Sequence, residues 1–131
     1  MLKPGDLIRY GYLWAREAAR GEETGRKFRP ACIVVRTPSQ PSNIFVFPLT
    51  SQRPGEDRAY LAVTEIECRR GGLDTPSFLI LDEYNRFLES DAFDLEAPEP
   101  IGAFSTSFMR KIALTLKDVA RARRLRAVTR R

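Results

Sequence analysis

The sequence predicts a mainly β fold, a β-barrel with α, in which a single helix comes last. Three observations predict it. The first two thirds are short apolar runs bounded by Gly, Pro, Asn and Asp, the pattern of antiparallel strands joined by turns. Only one segment, near the end, repeats its apolar residues at helical spacing. With 131 residues the chain is long enough for one buried core and too short for two ordinary ones, so a single domain is expected over 1–131, with a basic tail from about 121.

Each element follows from local chemistry. Pro4-Gly5-Asp6 is a turn that launches a first strand, Leu7 to Leu13. Ala15 to Lys27 is polar and punctuated by Gly, which predicts a long exposed loop with one helical turn around Ala15 to Ala19. Ala31 to Arg36 is a continuous β-branched run, expected to be a strand buried on both faces. After a turn over Pro38 to Asn43, Ile44 to Leu49 forms the next strand. Pro48 has no N–H to donate, so regular pairing should fail there. Thr50-Ser51-Gln52 ends that strand.

Pro54-Gly55-Glu56-Asp57 is a further turn, and Tyr60 to Ile66 partly alternates, as a half-exposed strand would. Gly71-Gly72 closes it, and Ser77 to Leu81 starts another. Asp91 to Pro100 is acidic and carries two prolines, which predicts an irregular connection. Phe108, Ile112, Leu116 and Val119 then share one helical face, expected to lie across the open side of the barrel, with Ser105 or Thr106 as the N-cap.

Composition and charge narrow the function. Hydrophobic residues make up 43% and charged residues 30%, the balance of a soluble globular protein. No apolar run approaches the roughly 18 residues of a membrane span, and the N-terminus lacks the features of an export signal, so no membrane partner and a cytoplasmic location are expected. Cys32 and Cys68 sit in unlike contexts without a histidine to complete a zinc site, so both are expected to be reduced and no metal or other cofactor is called for. Net charge is +5, and the signs separate: seven acidic residues lie between Asp82 and Pro100, and nine basic ones follow Met109. Such a basic segment suits a polyanion, although a solvated helix face with a basic tail reads the same way.

Two short motifs in a set order carry the chemistry. Phe28-Arg29-Pro30-Ala31 runs into the buried strand, and Pro48-Leu49-Thr50-Ser51-Gln52 ends the next. Taken alone each has an ordinary meaning, since the residue before a proline is pushed to extended geometry and Thr or Ser at a strand end often shapes a turn. Together with Pro4-Gly5-Asp6-Leu7-Ile8, the ordered set resembles the MazF/PemK toxin family over Lys3 to Val119. The resemblance implies an SH3-like barrel of the MazF/PemK/CcdB type and a homodimer. It also implies a metal-independent endoribonuclease, the toxin of a type II toxin–antitoxin system, which cuts single-stranded RNA such as mRNA. An acidic, partly disordered antitoxin would restrain it.

The resemblance puts the catalytic arginine at Arg29 and the catalytic threonine at Thr50. Attack of the 2′-hydroxyl on the adjacent phosphorus needs chiefly stabilisation of added negative charge. A guanidinium fork matches phosphate oxygens, and a hydroxyl can bond another. With no histidine in the chain, paired-imidazole chemistry is excluded. Glu23, Arg26, Lys27, Phe28, Ser51, Gln52, Asn85 and Arg86 are the expected RNA-binding residues. Tyr10, Tyr12 and Trp14 are further rings on which bases would stack if exposed, although most aromatics in so small a barrel are core.

The pattern departs from the family at two places. Glu23 lies six residues before Arg29, farther than the family loop places its Glu, and Leu81 to Leu88 shifts a basic residue and lacks a final Asp. Two other readings keep the fold and drop the catalysis: a CcdB-like poison of a topoisomerase, and a basic nucleic-acid-binding module.

Overall fold

In a computed structural model, residues 2–23, 25, 27–91 and 95–130 are described. β1 (Asp6–Tyr10), β2 (Arg29–Arg36) and β3 (Asn43–Thr50) form an antiparallel meander at the centre of a curled, half-barrel sheet. β3 changes partner along its free edge. Asn43 to Val46 pair with β6 (Glu83–Leu88), and Leu49 and Thr50 pair with β5 (Phe78–Ile80); Pro48 stays in register with Ala31 of β2, so the expected lapse in pairing is confined to the edge away from β2. The short β4 (Tyr60–Ala62) borders β5, and the two-residue β7 (Gly102–Ala103) borders β1.

Alternation along the strands sorts the core onto the two faces of the sheet. Ile8, Tyr10, Ile33, Val46 and Phe87 belong to one cluster; Leu7, Cys32, Phe47, Leu49 and Leu79 belong to the other. Ala31, Cys32 and Ile33 are all fully buried, but Val34 is only partly buried and Val35 is exposed, so the burial expected over Ala31 to Arg36 holds for its first half only.

The terminal helix α3 (Thr106–Arg121) lays Phe108 and Ile112 on the face that carries Leu7, Cys32 and Phe47. The Ser105 hydroxyl caps it by accepting from the Phe108 amide at 3.2 Å. A one-turn helix α1 (Ala15–Ala19) forms where a helical turn was expected, and the Trp14 amide donates to the Glu17 carboxylate at its start.

Three elements depart from the sequence reading. The strand expected over Tyr60 to Ile66 ends at Ala62, because the Thr64 hydroxyl accepts from the Glu67 amide and starts the helix α2 (Glu65–Gly71). Gly72, at φ 68°, stops α2 in the left-handed conformation. The first strand likewise ends early, at Tyr10, and the chain then crosses to α1 as a buried irregular segment. Finally, the basic tail is ordered where described: β8 (Arg126–Thr129) runs parallel to β6 and is followed by the buried Arg130. Asp91 closes a single 3-10 turn, Glu89–Asp91, and 95–100 is irregular apart from a bridge between Leu95 and Tyr10. Among the described residues no helix is long and apolar enough to cross a membrane.

Candidate functional site

Arg29 opens β2 and Thr50 closes β3. The two strands pair as far as Ala31 opposite Pro48, and Arg29 and Thr50 each lie two residues beyond that pair, at the same end of the two strands. The sheet thus brings to one end two groups that are twenty-one positions apart in the chain. Both line an open groove of about 570 Å³, together with Lys27, Phe28, Ser51 and Gln52.

The elements beneath the groove explain why Arg29 sits as it does. Past Tyr10 the chain is held from below by β6: Asn85 accepts from the Leu13 amide at 2.9 Å and donates to the Leu13 carbonyl at 2.8 Å. Glu83 accepts from the Ala15 amide at 2.9 Å and from the Tyr12 hydroxyl at 3.1 Å. Burial, aided by Glu83, pushes the Tyr12 phenol well above its ordinary range. This clamp fixes Trp14, and the Arg29 guanidinium lies over its ring at 5.0 Å. Such contacts contribute about 0.5–1 kcal/mol and leave the N–H groups unspent.

Arg29 is only half-buried, yet its Nε has no hydrogen-bond partner. Among the described residues no hydrogen bond or ion pair reaches the guanidinium. Burial lowers its pKa from the ordinary value, while Glu17 opposes the shift. With an ordinary value above about 12, the group keeps its charge near neutrality. Thr50 is similarly unspent: its oxygen accepts from the Gln52 amide at 3.2 Å, and its hydroxyl proton has no acceptor among the described residues.

The groove wall is strongly basic. Arg9, Arg16, Lys27, Arg29, Arg53 and Arg58 line it against one carboxylate, Asp74. Two of these are already engaged, Arg9 with Glu96 at 2.8 Å and Arg53 with the Tyr60 hydroxyl at 3.1 Å. Arg58 is locked more firmly. Its guanidinium grips both Asp82 oxygens at 2.6 and 2.8 Å and reaches Glu83 at 3.1 Å. Burial alone would raise the Asp82 carboxyl, but the Arg58 hydrogen bonds and the Ala59 amide outweigh it and hold the pKa below the ordinary value.

Not every expected RNA-binding residue reaches this groove. Asn85 is fully buried, and its amide is consumed by Leu13 and by Arg130, whose guanidinium donates to it at 3.3 Å. It builds the floor and cannot touch a ligand as folded. Arg86 lies outside the groove, donating to the Thr129 hydroxyl at 3.3 Å, and Glu23 is exposed but does not line it. Arg26 falls outside the described residues. Of the rings, Tyr10, Tyr12 and Trp14 are core, and Phe28 alone of the four is exposed, at 44%.

Arg9, Arg16, Arg53 and Arg58 escaped the sequence reading because they are scattered through the chain; only the sheet register and the turn after β3 gather them. No group of three His, Cys, Asp or Glu side chains is placed to hold a metal ion among the described residues. In comparisons with known proteins, no family model matches the chain and no curated protein matches it.

Proposed function

We propose that this protein is an endoribonuclease that cleaves single-stranded RNA without a metal, on an SH3-like barrel of the MazF/PemK kind. One observation carries the reading: a guanidinium and a hydroxyl, both with donors unspent among the described residues, line one basic groove at the same end of two paired strands. A phosphodiester supplies what both lack. Its oxygens accept from the Arg29 fork and from Thr50, and the electrostatic gain grows as the phosphorus becomes pentacoordinate and more negative.

The reaction is an internal transesterification. The 2′-oxygen forms a bond to phosphorus, the bond from phosphorus to the 5′-oxygen breaks, and the proton lost from the 2′-hydroxyl is balanced by one gained at the 5′-oxygen. A 2′,3′-cyclic phosphate and a 5′-hydroxyl result. Arg29 acts as the charge stabiliser; a guanidinium is too weakly acidic to serve as the base that removes the 2′ proton. Lys27, Phe28, Ser51 and Gln52 border the reacting phosphate and contact the flanking nucleotides.

The resemblance in sequence supplies the cellular setting. The protein acts as a cytoplasmic homodimeric toxin, restrained by an acidic antitoxin that fills the same basic groove. The test is direct. Purified protein is incubated with a long single-stranded RNA in EDTA, and the product ends are mapped. Cyclic-phosphate ends that vanish with Arg29→Ala support the reading, and intact RNA overturns it in favour of a binding module.

A further inference from the structure

A second cleft, of about 440 Å³, adjoins the groove and shares Arg16 and Arg58 with it. Its far wall is the turn between α3 and β8, which contributes Arg123, Arg124 and Arg126. Asp57, Asp82 and Glu83 also line it, against five arginines; Asp82 and Glu83 have their oxygens engaged by Arg58, by the Ala59 and Ala15 amides and by the Tyr12 hydroxyl. Arg124 is tied down, donating to the Asp57 carbonyl at 2.7 Å. By contrast Arg16, Arg123 and Arg126 are exposed, and no ion pair reaches them among the described residues. What remains is a concave surface with spare positive charge.

The backbone adds an independent sign. Arg123 has φ 55°, the left-handed conformation just past the end of α3, where glycine is the favoured residue. The turn closes through the Arg124 amide, which donates to the Val119 carbonyl at 3.1 Å. Arg123 thus occupies a helix-stop position usually given to glycine, and its side chain lines the cleft.

The route between the two hollows is also built. Trp14 carries Arg29 over its ring at 5.0 Å and Arg16 at 5.0 Å, so one core side chain aligns a groove arginine with one that lines both hollows. We propose that the cleft of Arg16, Arg123 and Arg126 is a distal phosphate site, which takes the backbone of the same RNA strand several nucleotides from the bond that is cut. This rests on the ribonuclease reading for its substrate. Arginine forks suit phosphate and carboxylate alike; RNA is favoured over an acidic peptide because the cleft shares Arg16 and Arg58 with the groove, so that one strand can span both.

The experiment uses non-cleavable, 2′-O-methylated RNA in two lengths, a dodecamer and a trimer, with binding read by fluorescence anisotropy over a range of salt. Two variants are used, Arg126→Ser and Arg123→Gly. The second keeps or improves the turn geometry while removing the charge, so loss of folding cannot explain its effect. Each is expected to weaken dodecamer binding about tenfold more than trimer binding, and to reduce the salt slope for the dodecamer by about 0.7, one phosphate contact on a single strand.

Equal effects on both lengths, or an unchanged slope, would overturn the proposal. So would variants that weaken binding of a poly-glutamate peptide and leave the dodecamer alone. Cleavage of unmodified RNA by the wild type is scored separately. If the wild type does not cut yet the length dependence holds, the nuclease reading falls and the distal site stands. Should it cut without the length dependence, only the distal site falls.

Discussion

Arg29 and Asn85 approach the same short segment, Gly11 to Trp14, from two sides, and they differ in what they do with their hydrogen bonds. Asn85 spends its amide within the protein, on both backbone groups of Leu13 and on Arg130. Arg29 spends nothing: it rests on Trp14 with a buried Nε that has no partner. Both are polar residues that the sequence reading places at the site, Arg29 as catalytic and Asn85 as RNA-binding. Hydrogen-bond accounting separates them, because an unmet buried donor is a standing cost, and a ligand in the groove can supply the partner that Arg29 lacks. Asn85 builds the site; under the proposed function Arg29 uses it.

The sharpest way to break that contrast is to remove each group in turn. Arg29→Met keeps the stem over Trp14 and deletes the donors. RNA cleavage should fall by about 100- to 1,000-fold, the loss expected for one preorganised oxyanion donor, while stability changes by less than about 1 kcal/mol. Asn85→Ala should do the reverse. It orphans the Leu13 N–H and C=O in a fully buried place, which costs about 2–4 kcal/mol, readable as a lower midpoint in urea. A stable Asn85→Ala protein with impaired RNA binding would invert the assignment.

The Arg58–Asp82 pair extends the comparison to pH. Asp82 is held below its ordinary pKa in the folded protein, so between the folded and unfolded values the unfolded chain binds the extra proton. Stability from this pair is complete above about pH 4 and is lost as pH falls through the depressed folded value. Asp82→Asn should cost about 2 kcal/mol at neutral pH and flatten the acid limb of a plot of melting temperature against pH. An acid limb of unchanged slope in the variant would show that other carboxylates carry it.

Much of this was legible before any coordinates. The buried stretch of β2, the one-edge lapse at Pro48, the helical turn at Ala15 and the capped final helix are local effects of side-chain shape and backbone donors, so short windows of sequence report them. α2 was legible too: Thr64-Glu65-Ile66-Glu67 followed by Gly71-Gly72 is a helix start and stop, obscured by the apolar alternation just before it. β8 was not. Arg-Ala-Val-Thr has little apolar periodicity, and it becomes a strand because β6 offers it a paired edge and Arg130 finds Tyr10, Gly11 and Asn85. The meeting of Arg29 and Thr50 in one groove depends on how β2 and β3 pair, and the demotion of Asn85 depends on which side of β6 is buried. Neither quantity lives in a local window.

The smallest effect tests the weaker half of the site. Thr50→Val preserves the β-branched shape that suits the last position of β3, so the strand end should hold; it removes one hydroxyl that accepts from Gln52 and has its proton free. A neutral hydrogen bond is worth about 0.5–1.5 kcal/mol, so cleavage should slow by roughly 3- to 10-fold, with the loss in kcat if the bond tightens only as charge develops. Thr50→Ser restores the hydroxyl and should recover most of the rate. If valine cleaves as fast as threonine, the residue shapes the turn toward Gln52 and nothing more, and the chemistry falls to Arg29 and the surrounding cations.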